Sequence, residues 1–160
     1  MKKNDAPFAL FSSWYLPAEK SEACGNAMVL ATVGKNLQPS SRLVLLAEHG
    51  VEQGFVFYTD YNSQKGQEIA ENPKVSLVFY WPQAYQQVRI EGVTHKTSAA
   101  MSDAYFYKRN KEKQLSATLS HQSQRQETID TLRLRYEEEV KHLAGKEIVR
   151  PETWGGYHVM

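Results

Sequence analysis

Short apolar segments follow one another closely over the first two thirds of the chain. Glycine, asparagine and proline residues separate them, as expected for turns between strands. The segments are rich in Val, Leu, Phe and Tyr and predict strands over residues 27–33, 41–47, 54–59, 75–81 and 86–96. A last segment, residues 156–160, predicts a sixth strand at the end of the chain.

Helical spacing of apolar residues occurs before, within and after this strand-rich region. Residues 6–16 predict a short N-terminal helix, and residues 63–72 predict another that begins at a possible N-cap, Ser63. After Lys96 the apolar period changes from two to 3.6, which predicts helices over residues 98–110 and 126–144.

The order of elements favours one architecture. Long crossover helices between successive strands are absent, so a doubly wound parallel sheet is disfavoured. We predict a mainly β fold with helices (α+β), a six-stranded antiparallel barrel in a single domain over residues 1–160. Several strands are apolar on both faces, which also indicates an interface and hence a dimer.

Composition excludes some classes of partner and favours a soluble cytoplasmic protein. Nineteen Lys and Arg against 18 Asp and Glu give a formal charge of +1, so no global field attracts nucleic acid or membrane. The single cysteine, Cys24, cannot form an internal disulfide, and neither a signal peptide nor a membrane-spanning apolar run is evident.

The segment from Tyr58 to Lys65 is the most informative candidate site. Tyr58 and Thr59 end a predicted strand, and Ser63 opens a helix with Lys65 in its first turn. Free N–H groups, a hydroxyl and an ammonium would converge there and bind a phosphate. The alternative is that Ser63 only caps the helix and Lys65 is a solvated surface charge.

Three further features allow a ligand-binding and a structural interpretation. Arg42 lies in an apolar strand and must face solvent, a carboxylate or an anionic ligand. Gln87 shares a strand face with Arg89 and could contact a heterocycle edge or simply face solvent. The basic stretch 108–113 could bind phosphate or end a solvated helix.

Other chemistries have no support in the sequence. The five histidines are isolated and have no cysteine pair to join, so we predict no metal site. No GxSxG, Walker or GxGxxG motif occurs, which argues against hydrolase, P-loop and Rossmann functions.

Several segments occur in one fixed order along nearly the whole chain: PFALFSSW, NAMVLATV, QPSSRLVLL, GFVFYTDYNSQKGQEIAENPKVSLVFYW, QVRIEG, SDAYFYKR, QLSATLSHQSQ and WGGYHV. In that order they resemble the pyridoxamine 5'-phosphate oxidase family. The resemblance implies an FMN-binding split barrel and a homodimer with FMN at its interface. It also implies oxidation of pyridoxamine or pyridoxine phosphate to pyridoxal phosphate by molecular oxygen.

The resemblance further implies two sets of binding residues and identifies no catalytic residue. Its cofactor set comprises Arg42, Leu43, Val44, Leu45, Tyr58, Thr59, Ser63, Gln64, Lys65, Gln87, Gln122 and Ser123. Its substrate-phosphate set comprises Tyr105, Arg109 and Lys113.

Departures from the family pattern leave other functions open. Ala47 replaces a lysine, Gln64 an arginine and Lys113 a serine, and the chain ends at Met160 where the family continues with flavin and substrate contacts. We therefore expect a more open substrate side of the flavin. The alternatives are an FMN- or pyridoxal phosphate-binding protein without turnover, and a flavin oxidoreductase acting on another substrate.

Overall fold

The computed structural model describes residues 6–119, 123, 128–142 and 147–160. The helices in this part of the chain are α1 (Ala6–Ser21), α2 (Gln64–Glu71), α3 (Ala99–Lys108), α4 (Lys111–Leu119) and α5 (Ile129–His142). The strands are β1 (Ala27–Val33), β2 (Pro39–Leu45), β3 (Glu48–Gly50), β4 (Gly54–Asp60), β5 (Lys74–Trp81), β6 (Gln86–Lys96) and β7 (Trp154–Val159). None of these helices has the length and apolar character needed to cross a membrane.

The strands form one antiparallel sheet in the order β2-β1-β5-β6-β7-β4-β3. The sheet curls until β2 again approaches β4, which gives a split barrel. Its interior is filled by fully buried apolar side chains, among them Met28, Leu30, Phe57, Leu77 and Phe79. The mixed α+β split-barrel prediction is therefore confirmed.

The predicted number of strands, six, was wrong by one. The extra strand, β3, has three residues and pairs with β4 through Glu48 and Val56. A strand of three residues is too short to show an alternation of apolar and polar side chains. The second strand also ends earlier than predicted, at Leu45, because Leu46 N–H bonds to Asn26 O while Ala47 N–H bonds to Val56 O. The hydrogen-bond partners of the backbone thus change here from the residue before β1 to a residue of β4.

Local capping explains the helices that surround the site. Ser63 caps α2 by accepting a hydrogen bond from Gly66 N–H, and Ser98 caps α3 by accepting one from Met101 N–H. Both helices were predicted. The sequence did not indicate α4, which begins where Asn110 Oδ1 accepts a hydrogen bond from Lys113 N–H at 2.9 Å.

A second, smaller core joins the helical layer to the barrel. It consists of Phe106, Leu115, Ile148 and Trp154, where α3 and α4 pack near the start of β7. Arg150 strengthens this junction because its Nε donates to Asp103 Oδ1 and its Nη1 donates to Trp154 O, each at 2.6 Å. The junction fixes α3 relative to β7.

The outer face of β2, β1 and β5 is apolar and exposed. Leu43 and Leu45 on β2 are 69% and 58% exposed, and Val29 of β1 lies opposite Leu43. Val78 and Tyr80 continue the same face on β5. Exposed apolar surface of this extent typically marks an interaction surface.

Candidate functional site

A cavity of about 560 Å³ lies between β2, the end of β4, the start of α2, the α3–α4 junction and the start of β7. It gathers most of the residues that the sequence singled out. Its lining consists of Leu43, Val44, Leu45, Tyr58, Thr59, Lys65, Tyr105, Lys108, Arg109, Asn110, Lys113 and Trp154. The structure thus brings members of both predicted binding sets into one space.

One end of the cavity is formed by the N-terminus of α2. Lys65 is only 8% exposed, and its Nζ donates to Thr59 Oγ1 at 3.1 Å and to Ser63 Oγ at 3.0 Å. Ser63, completely buried, donates in turn to Asp60 O at 2.6 Å. Burial, aided by the nearby charge of Arg42, lowers the pKa of Lys65 to about 8. The ammonium is therefore still mainly protonated at neutral pH and supplies a positive charge at the N-terminus of α2.

Arg42 lies outside the cavity and is held by a carboxylate. Its Nη2 donates to Ser40 Oγ at 2.6 Å and to Glu68 Oε2 at 3.3 Å, and its Nη1 donates to Thr32 Oγ1. Burial opposes ionisation of Glu68, but hydrogen bonds from Ser40, Thr32, Gln64 and Arg42 outweigh it and lower its pKa to about 2. The sequence allowed solvent, a carboxylate or an anionic ligand as the partner of Arg42. In the structure its partner is the carboxylate of Glu68.

The other end of the cavity is a stack of aromatic rings. Tyr58 lies parallel to Tyr105, with centroids 3.9 Å apart, and parallel to Trp154 at 5.3 Å. Gly156 faces Tyr58 across the strand pair, and a Cβ there would come within 2.8 Å of the Tyr58 ring. The Arg109 guanidinium lies over the Trp154 ring, 4.9 Å from its centroid. This end therefore presents flat aromatic walls beside a cation.

Two buried donors at the cavity have no hydrogen-bond partner among the described residues. They are the Tyr58 hydroxyl and Arg109 Nη1. Burial raises the pKa of Tyr58, so its hydroxyl keeps its proton, whereas burial lowers the pKa of Arg109. Unsatisfied buried donors of this kind fit a ligand that brings its own acceptors.

The cavity lining is cationic. Lys65, Lys108, Arg109 and Lys113 all contribute to it, and none of its described lining residues is acidic. The N-termini of α2 and α4 lie at its two ends, with Lys65 and Lys113 in their first turns. The arrangement suits a planar ligand, or two neighbouring ligands, with negatively charged groups. No cluster of three or more His, Cys, Asp or Glu able to hold a metal occurs in the described parts of the chain.

Comparison with known proteins decides the family. Residues 20–142 match the family model described as pyridoxamine 5'-phosphate oxidase. The chain belongs to this family. It is a flavin-dependent oxidoreductase of the pyridoxamine 5'-phosphate oxidase type.

Two curated relatives illustrate the similarity. The pyridoxine/pyridoxamine 5'-phosphate oxidase of Sphingopyxis alaskensis is 42% identical over 159 residues, which cover 99% of this chain and 73% of that protein. The enzyme of the same name from a Nostoc species is 45% identical over 157 residues, covering 96% and 72%.

Solved structures support the fold. PhzG from Burkholderia lata, in complex with tetrahydrophenazine-1-carboxylic acid, superposes with a TM-score of 0.89 at 25% identity, covering 99% of this chain and 77% of PhzG. A pyridoxamine 5'-phosphate oxidase-related, FMN-binding protein from Nostoc punctiforme superposes with a TM-score of 0.77 at 16% identity, covering 96% and 80%.

Some residues carried over from the oxidase family do not line the cavity. Gln64 is exposed and its Nε2 donates to Glu68 Oε1 at 2.8 Å. Gln87 lies on the outer face of β6, opposite Tyr80, and Ser123 is exposed with a φ of +63°. Gln122 lies outside the described residues. Their roles in ligand binding stay predictions.

Three cavity residues were not in either predicted set. Lys108 and Asn110 belong to the basic stretch for which phosphate binding was one interpretation. Trp154 received no role from the sequence, and the structure places it in the cavity wall. A tryptophan at the start of a strand otherwise gives no local signal that distinguishes a cavity wall from a core residue.

Proposed function

We propose that the chain binds FMN and oxidises C4' of pyridoxamine or pyridoxine 5'-phosphate to give pyridoxal 5'-phosphate, with O2 as the electron acceptor. The observation that supports this function is one cationic cavity lined by two helix N-termini and an aromatic wall. Such a cavity has a place for two phosphate groups and for flat rings.

The α2 end of the cavity fits the phosphate of FMN. Lys65 would contribute a charge-assisted hydrogen bond, and the N-terminus of α2, which Ser63 caps, would add its dipole. Thr59, already in contact with Lys65, would orient the ammonium. Bound FMN would supply the two-electron oxidation, in which the substrate loses a hydride and a proton and O2 is reduced to hydrogen peroxide. With pyridoxamine 5'-phosphate, water would then hydrolyse the C4' imine and release ammonia. Arg42 would act indirectly, because Glu68 holds its guanidinium.

The α4 end fits the phosphate of the substrate. Arg109 offers an unsatisfied buried N–H, and Tyr105 and Lys113 line the cavity beside it. Together these groups would hold the substrate by its phosphate and leave the ring free to lie against the flavin. Positioning of this kind accounts for a large part of the rate enhancement when the cofactor performs the chemistry.

A homodimer with FMN at its interface accords with the exposed sheet face. Leu43 and Leu45 line the cavity and also belong to the apolar outer face, so the open side of the cavity is continuous with that face. A second copy packed there would cover both. Gln87 lies on the same face, opposite Tyr80, where it is available to a cofactor bound across the interface.

The experiment that tests the function uses the purified full chain. FMN is titrated by fluorescence quenching, and pyridoxamine 5'-phosphate is then added aerobically while pyridoxal 5'-phosphate and hydrogen peroxide are measured. We expect FMN binding and equal amounts of the two products. FMN binding without turnover would favour either the binding-protein alternative or a flavin oxidoreductase acting on another substrate. Absence of FMN binding at micromolar concentration would refute the proposal.

A second candidate function is oxidation of a different aromatic anion. The solved PhzG complex contains a tricyclic carboxylic acid, and PhzG covers nearly this whole chain at a TM-score of 0.89. A carboxylate would find the same cations at the α4 end. Turnover of tetrahydrophenazine-1-carboxylic acid with a higher kcat/KM than pyridoxamine 5'-phosphate would support this candidate over the first.

A further inference from the structure

Arg109 is a half-buried cation whose main chain is fixed and whose charge has no acidic partner among the described residues. Its N–H donates to Phe106 O at 3.1 Å, and its carbonyl accepts from Gln114 Nε2 at 2.8 Å. Its guanidinium makes no ion pair within the described chain, and Nη1 is buried without a partner. The contact that defines the guanidinium's position is the one with the Trp154 ring, 4.9 Å away.

The Trp154 ring is itself held rigidly. It is 4% exposed, stacks on Tyr58 at 5.3 Å with an interplanar angle of 12°, and meets the edge of Phe106 at 5.3 Å. Its carbonyl accepts the 2.6 Å hydrogen bond from Arg150, which also binds α3 through Asp103. The Trp154 ring is therefore fixed relative to α3, and Arg109 directly follows the last residue of that helix.

We propose that Trp154 is a positioning residue that holds the Arg109 guanidinium toward the cavity by a cation–π contact and thereby sets affinity for the anionic group of the substrate. This inference rests on the proposed function, in which Arg109 binds that anionic group.

The physical reason is the cost of partly burying an unpaired guanidinium. Before substrate binds, the charge at Arg109 has lost part of its hydration, as the lowered pKa of this group indicates. The electron-rich face of Trp154 offsets part of that cost while leaving N–H groups free for a ligand, which a carboxylate partner would not. Without the ring, Arg109 would turn toward water or another acceptor, and substrate binding would have to order it again.

The test compares Trp154→Phe and Trp154→Leu, each with and without Arg109→Met, in the full-length FMN-loaded protein. We expect Trp154→Leu to raise KM for pyridoxamine 5'-phosphate about tenfold, and Trp154→Phe about threefold because its ring is a weaker cation binder. FMN affinity and kcat should change less than about twofold, since the contact acts on the binding of the anionic group. Tyr107→Leu is the matched control, because Tyr107 is an exposed aromatic of α3 that does not line the cavity.

Coupling between the two residues distinguishes positioning from a general packing role. In the Arg109→Met background, either Trp154 variant should change KM by less than about twofold, because there is no guanidinium to hold. Equal effects of the Trp154 variants with and without Arg109 would overturn the inference. If Trp154→Leu does not fold, the Trp154→Phe cycle alone decides by the same criterion.

The Arg109→Met variant separately tests the proposed function, in which Arg109 binds the anionic group of the substrate. If Arg109→Met leaves KM for pyridoxamine 5'-phosphate and the Kd of pyridoxal 5'-phosphate unchanged, then Arg109 does not bind the anionic group and the proposed substrate site is wrong. If Arg109→Met weakens both whereas Trp154→Phe and Trp154→Leu weaken neither, the substrate site stands and the positioning role of Trp154 is refuted.

Discussion

Replacing Lys65 with methionine removes the only cation at the α2 end of the cavity lining that the structure describes. The side chain is nearly buried, and its ammonium lies 3.0 Å from Ser63 Oγ and 3.1 Å from Thr59 Oγ1. A hydrogen bond to a charged group contributes about 1.5–3 kcal/mol, so the variant should bind FMN about ten- to 150-fold more weakly. Methionine keeps a similar length and apolar stem, which limits the change to the charge.

The pH dependence of FMN affinity tests the role of Lys65 independently of the substitution. The phosphate of FMN becomes a dianion above about pH 6. The ammonium of Lys65 loses its proton above its pKa of about 8. The Kd for FMN should therefore be lowest between these values and rise about tenfold per pH unit above pH 8.

The free energy of unfolding of the ligand-free protein should change with alkaline pH in the direction opposite to FMN affinity. The pKa of Lys65 is about 8 in the folded protein and 10.5 in an unperturbed lysine, so the unfolded chain binds this proton more tightly between these values. The free energy of unfolding should then rise from pH 8 to about pH 10.5, while FMN affinity falls. In Lys65→Met both dependences on alkaline pH should disappear.

Fluorescence quenching by FMN at fixed ionic strength between pH 6.5 and 9.5 measures the affinity, and urea unfolding of the ligand-free protein measures the stability. Lys74→Met is the matched control, because Lys74 is exposed at the start of β5 and does not line the cavity. A wild-type Kd that stays constant across this pH range would refute the assignment of Lys65 to the phosphate. The same holds if Lys65→Met binds FMN as tightly as Lys74→Met does.

Three other substitutions test the parts of the site separately. The wild type should lose stability as pH falls from 4.5 toward 2, because the pKa of Glu68 is about 2 in the folded protein and 4.5 in an unperturbed glutamate. Glu68→Gln should abolish this loss, which is measured as the change of the urea midpoint with acid pH. Gly156→Ala should destabilise the fold by about 1–3 kcal/mol, because the new Cβ would lie 2.8 Å from the Tyr58 ring; thermal unfolding checks it. Lys113→Met should raise KM for pyridoxamine 5'-phosphate about two- to fivefold with kcat unchanged, whereas Lys111→Met, off the cavity lining, should leave steady-state kinetics as they are.

Elements with local signals could be predicted from the sequence. The α2 helix was expected over residues 63–72 and spans Gln64–Glu71, because its cap and its end depend on atoms within a few residues. Most strands were placed within one or two residues, since their content of Val, Leu, Phe and Tyr and the turn residues between them are local signals. The short strand β3 and the polar helix α4 escaped, because three residues show no period and α4 has few apolar residues to show one.

The composition of the cavity could be predicted in part. Family resemblance assigned Lys65, Tyr105 and Arg109 to ligand binding, and the structure places all three along one cavity. The resemblance could not show that Arg42 is held by Glu68, because the pair joins β2 to α2 across 26 residues of sequence. Residue type gives the charge of a group, but only packing decides which opposite charge lies within reach.

The sequence alone thus determined the succession of strands and helices, the helix cap at Ser63 and the types of side chain available for binding. The tertiary structure decided their partners. The sheet order places β7 beside β4, which brings Trp154 against Tyr58 and leaves Arg109 of the α3–α4 junction over the Trp154 ring. Periodicity reports which face of an element is buried, whereas contacts between residues far apart in sequence depend on how the sheet curls and how the helices pack on it.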